Sequence, residues 1–155
     1  MLDVSLYQVL GAALHGANGS SIVSRKARLT YGTKSTVTYD KKDPDHRRRS
    51  TNVTVMEGVQ YFDTFFSFVE KGEDLPVGTE RGDVFRPRQD KQISVFFPIS
   101  VSNRPAADVK YLKDPGVERA VSTMITVGVP LDMSVPFSNR AVSVRLSFGG
   151  TELHI

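Results

Sequence analysis

From residue 22 to residue 148 the chain is a succession of short β-branched and aromatic runs, each closed by glycine, proline or aspartate. Runs rich in valine, threonine and phenylalanine suit a pleated, half-buried surface, so the chain reads as mainly β. Residues 22–31 and 35–39 read as strands with Gly32 between them. Residues 62–69 read as a strand buried on both sides, with Phe62, Thr64, Phe66 and Phe68 facing one way and Phe65 and Val69 the other. Val84-Phe85 reads as a short strand ended by Pro87. Residues 92–101 form the strongest strand, and Pro98 demotes its far half to an edge or a bulge. Residues 120–129 and 141–148 complete the set, the second alternating Val142, Val144, Leu146 and Phe148 with Ser143, Arg145 and Ser147. Turns are expected at residues 70–74 and at Asp114-Pro115-Gly116, where proline fixes φ and glycine supplies a positive one.

One helix is expected, over residues 4–16, with Val4, Val9, Ala12, Ala13 and Gly16 roughly on one face. Gly16, Asn18 and Gly19 end it. Gly11 in its middle costs about 1 kcal/mol relative to alanine, which suggests close packing against a partner the rest of the chain hardly provides. Residues 40–51 read as a polar loop with no core-forming residue. Residues 151–155 begin a strand by alternation, and its pairing partner is expected to be absent. A helix followed by several short strands and turns spells an antiparallel β-sandwich.

Composition narrows the function classes. With no cysteine the chain has no disulfide, no thiol nucleophile and no cysteine zinc site. The net charge of +3 is concentrated at Arg47, Arg48 and Arg49, a pattern of a solvated loop, so no nucleic-acid partner is expected. No apolar run approaches the roughly 20 residues that span a bilayer, and the N-terminus lacks the pattern of a signal peptide. No membrane insertion and a cytoplasmic location are therefore expected. His15, His46 and His154 lie far apart without metal-ligand spacing. The serines lack a nucleophile-elbow pattern, no glycine cluster opens a helix, and Glu70, Glu73 and Asp74 read as a solvated turn. No enzyme is expected within this chain.

Phe62, Phe65, Phe66, Phe68, Phe85, Phe96 and Phe97 supply more aromatic area than one inner face of a small sandwich needs. Two readings stay open: a core plus a domain interface, or a groove for an extended apolar peptide.

Five stretches in order resemble the C-terminal part of the atypical 70-kDa heat-shock family, its 12A/12B-like branch: VLGAALHG, IVSRKARLTYGT, FDTFFSFVEKGEDLPVGT, YLKDPGV and LSFGGTEL. The resemblance implies that residues 1–21 are a remnant of the last helix of an actin-like ATPase domain. It implies that residues 22–155 are the substrate-binding β-sandwich, cut short at its C-terminal end. It implies a chaperone-like, stress-response module whose partners are unfolded or extended apolar peptides, or the family's own ATPase domain. ATP would be bound by upstream parts of a full-length protein, so no cofactor is expected in this chain. By the same resemblance Phe85 closes the third strand, Val95 and Phe97 form the apolar floor that touches peptide, and residues 88–91 form the adjoining loop; plain core positions are the alternative for all three.

Several residues depart from the family pattern. The stretch Ser21-Ile22-Val23-Ser24-Arg25 lacks the acidic, leucine-rich linker, and Thr33 and Thr36 stand where the groove is usually apolar. No helical lid follows Ile155, so fast peptide release is expected. Two rival readings follow: a scaffolding sandwich that has lost the groove, or an incomplete product whose strand edge after Leu153 promotes aggregation.

Overall fold

The computed structural model describes residues 23–148 and 153–154, so the helix read over residues 4–16 lies outside the described residues, as does the whole of segment 1–21. The described strands run in chain order β1 (Ser24–Lys26), β2 (Thr30–Thr38), β3 (Thr54–Met56), β4 (Val59–Val69) and β5 (Asp74–Pro76). They continue with β6 (Thr79–Phe85), β7 (Ser94–Ser102), β8 (Val121–Pro130), β9 (Val142–Phe148) and β10 (Leu153–His154). One short α-helix, α1 (Pro44–Arg48), lies between β2 and β3. The fold is mainly β, and every strand pairing is antiparallel. A five-stranded sheet has the order β3-β4-β2-β7-β8, a three-stranded sheet the order β10-β9-β6, and β1 pairs with β5.

The two larger sheets share one apolar core. Phe68, Val69, Phe97 and Ile99 of the larger sheet meet Val144 and Leu146 of the smaller, with Leu75 and Ala27 closing the end. A second cluster, Phe65, Val109 and Val117, is built from β4 and the β7–β8 connection. Phe65 thus faces away from the core holding Phe68, as the alternation of residues 62–69 requires. Val69 breaks that alternation. The register runs Gly32↔Ser67 and then Tyr31↔Val69, so a bulge absorbs Phe68 and swings Val69 into the same core as its neighbour.

Local chemistry sets the strand limits. Gly32 lies inside β2 rather than between two strands, because β4 crosses it too closely for a side chain. The expected strand over residues 22–31 is instead split into β1 and the start of β2. Val84-Phe85 is the end of a seven-residue strand held along its whole length by β9. Pro98 lies in β7, with the bulge one residue beyond it, between Ile99 and Ser100. The far half of β7 is paired on both sides; the near half, Ser94–Pro98, has only β8. Glu57 and Gly58 both have positive φ, 50° and 77°, and close a tight hairpin between β3 and β4. At the other end Leu153 and His154 pair with Phe148 and Ser147, so that strand has the partner it was expected to lack.

Residues 40–51 do contribute to the interior. Asp43 caps α1 by accepting the Asp45 N–H at 2.8 Å, and Pro44 starts the helix with its φ already fixed. The helix turns His46 inward, where it is 6% exposed and its ring centre lies 4.8 Å from that of Phe62. Its Nδ1 accepts the Asp40 N–H at 3.0 Å, which satisfies the buried ring.

The Asp45 N–H holds the Asp43 carboxyl below its ordinary value of 3.8. A depressed carboxylate contributes stability above its unfolded value and loses it as pH falls through the folded one. Asp43→Ala is therefore expected to melt at a lower temperature than the parent at neutral pH. The gap should close as pH drops below 3.8, followed by thermal melts across an acid series.

Candidate functional site

An open groove of about 900 Å³ lies between the β3–β4 hairpin, the end of β6 and the segment that leads from β6 into β7. Phe85, Val95 and Phe97, the three residues expected at a peptide groove, all line it. Their exposures differ. Phe97 is 2% exposed and belongs to the core between the sheets, whereas Phe85 and Val95 are half-buried on its margin. The Phe85 ring centre is 5.2 Å from Phe97 and 5.8 Å from Phe66, so the groove floor is an outward extension of the core. A floor built this way is held rigidly by packing, and a ligand that covers Phe85 removes apolar area from water without rearranging the sheets.

The hairpin supplies a second apolar side through Met56 and Val59, with Tyr61 beside them. Sequence reasoning missed these three. The signal was available in the Glu57-Gly58 pair between residues of alternating character, which marks a two-residue turn. Thr36 lines the groove, and Thr33 does not: it is fully buried and its hydroxyl donates to the Pro98 carbonyl at 3.2 Å.

The segment between β6 and β7 is tied down at several points. Gln89 Nε2 donates to Glu57 Oε1 at 3.0 Å, joining it to the hairpin tip, and the Arg88 guanidinium lies 5.4 Å from the Tyr61 ring centre. The Arg88 N–H donates to Gln92 Oε1 at 3.1 Å, and Gln92 Nε2 donates to the Ser94 carbonyl at 2.8 Å. From behind, the buried guanidinium of Arg140 donates to the Asp90 and Val135 carbonyls and pairs with the Asp90 carboxylate at 3.2 Å. Of residues 88–91, Arg88 and Gln89 reach the groove, while Asp90 serves as the anchor for Arg140.

The shifted titratable groups lie outside the groove lining. Asp43 is held low at the α1 cap, and the Ser134 hydroxyl and N–H hold Asp132 low in the β8–β9 connection. A hydrogen bond to Asp114 at 2.7 Å pushes Arg49 up. Among the described residues, no group of three or more histidine, aspartate or glutamate side chains could hold a metal ion. Among those residues, no helix is long and apolar enough to cross a membrane. The geometry offered is a rigid apolar floor with polar, basic margins, an arrangement suited to binding.

Two curated proteins are similar to the chain, the human and mouse proteins described as heat shock 70 kDa protein 12A. Each is 25% identical over 153 residues, covering 97% of this chain and 22% of the relative. The chain is a distant relation of the 70-kDa heat-shock family. It spans only 22% of the length of the relatives it matches. No family model matches it, and neither does any solved structure.

Proposed function

We propose that this chain is a non-catalytic, chaperone-like module that holds extended apolar peptide segments in the groove beside Phe85. The single observation that supports this most is the groove itself: Phe85 and Val95 continue the core outward to solvent, opposite Met56 and Val59 of the hairpin. The distant heat-shock relation adds the class of ligand, through the substrate-binding β-sandwich of the atypical 12A/12B-like branch. ATP binding and hydrolysis belong, in this reading, to other parts of a longer protein, and the working compartment is the cytoplasm. With Thr36 at the groove, binding is expected to be weak.

A scaffolding role is the second reading, favoured by the sealing of Phe97 in the core. The same groove would then receive a fixed surface of a partner domain.

The test is fluorescence anisotropy of labelled, uncharged leucine-rich peptides on the purified chain, against Phe85→Ser. Phe85 is half-buried, so its loss is expected to leave the sheets intact while removing the groove floor. Saturable binding that weakens about tenfold or more in the variant supports the peptide module, since a large apolar contact is worth about 1.5–3 kcal/mol. A folded parent chain that binds none of the peptides sinks it and leaves the scaffold.

A further inference from the structure

We infer that the groove selects apolar segments flanked by acidic residues, an inference that rests on the groove being the peptide site. Its lining carries four formal charges: Lys34 from β2, Arg86 and Arg88 from the β6–β7 segment, and Glu57 at the hairpin tip. Three cations thus face one anion, and the anion is already engaged, because Glu57 accepts the Gln89 amide. All three cations are exposed, and among the described residues none of them is in an ion pair.

The imbalance of the lining, three cations to one anion, exceeds that of the whole chain, whose 20 lysines and arginines stand against 17 aspartates and glutamates. Elsewhere among the described residues some cations, Lys26, Arg49, Arg81, Lys113, Arg140 and Arg145, are matched with carboxylates and others, such as Arg47 and Arg48, are not. Around the apolar floor the cations come from two separate elements and are left unmatched. Arg88 is also oriented for the task. Its guanidinium lies over the Tyr61 ring, which supports one face and leaves the N–H edges free to form a fork with a carboxylate. Cations beside a low-dielectric apolar wall attract acidic ligands more strongly than the same cations on open surface. A basic flank would meet like charge on both sides.

Four labelled peptides test this on the intact chain. Three share a leucine-rich core and carry aspartate, glutamine or lysine at both ends; the fourth keeps the aspartates around a Gly-Ser core. The aspartate-flanked apolar peptide is expected to bind about tenfold tighter than the glutamine one at low salt, with the lysine one weakest, as two or three exposed ion contacts allow. The spread should shrink as salt rises and shortens the screening length. Arg86→Glu combined with Arg88→Glu should reverse the order of the aspartate and lysine peptides. Lys34→Glu, on a different strand, should move it in the same direction.

Equal affinities across the flanks, or a preference for lysine, overturn the inference while leaving the peptide site in place. Equal binding of the Gly-Ser peptide overturns it in favour of general polyanion attraction. If even the glutamine peptide fails to bind, the peptide site falls and this inference with it.

Discussion

Gly32→Val is expected to leave little folded protein. Gly32 sits on β2 between two paired strands, opposite Ser67 of β4 and Ser100 of β7. A Cβ at this position would run into the Phe66 carbonyl oxygen and come within 2.7 Å of the tip of the Phe65 ring. Neither neighbour can give way. The carbonyl is part of the sheet backbone, and Phe65 is 5% exposed at the centre of the second core. Valine adds two methyl groups to that collision. Overpacking of this kind costs about 3 kcal/mol or more, a large share of the roughly 5–15 kcal/mol that holds a domain of this size. Gly128→Ala is the contrast: its closest neighbour is the Phe96 ring at 3.1 Å, and that ring is 66% exposed and free to move. Its cost should stay within about 0.5 kcal/mol. Urea titrations followed by circular dichroism compare the two. A parent-like midpoint for Gly32→Val would mean that β2 and β4 do not cross as described.

The second large effect is Leu146→Ala. Leu146 is fully buried on β9, in the cluster that also holds Phe97 and Ile99 of β7. Its removal opens a cavity between two paired sheets that cannot readily collapse, so a loss of about 2–5 kcal/mol is expected. The urea midpoint should fall with the slope unchanged, since the surface exposed on unfolding stays nearly the same. A loss below about 1 kcal/mol would place Leu146 outside a shared core and separate the two sheets.

Alternation and turn residues made most strands legible. Residues 141–148 show period-two patterning, and Asp114-Pro115-Gly116 closes its turn with the Val117 N–H bonded to the Asp114 carbonyl at 3.0 Å. What failed depended on partners distant in sequence. The stretch 40–51 looked empty of core residues because the burial of His46 needs Phe62 and Tyr111, with ring centres at 4.8 and 6.1 Å. The parity of Val69 turned on a bulge that only the β2–β4 register reveals. Of the two outcomes expected beyond Pro98 the structure has the bulge, between Ile99 and Ser100; the far half is no edge, because β2 pairs with it from Ile99 on.

The candidate site was legible in a different way. Phe85, Val95 and Phe97 came from a family resemblance, and the fold brings all three to one groove. Nothing in their local sequence separates the sealed Phe97 from the open Phe85; that difference is set by β9 packing on one and solvent on the other. The cationic margin was hidden because Lys34 and Arg88 belong to elements far apart in the chain, joined only by the fold.

The most direct measurement is a map of amide chemical-shift changes when an uncharged leucine-rich peptide is added to the chain. The changes are expected to saturate and to cluster at Phe85, Val95 and the hairpin residues Met56 and Val59, with β9 unmoved. Changes centred instead on the exposed β8 edge around Met124 and Ile125, or none at saturating peptide, would contradict it.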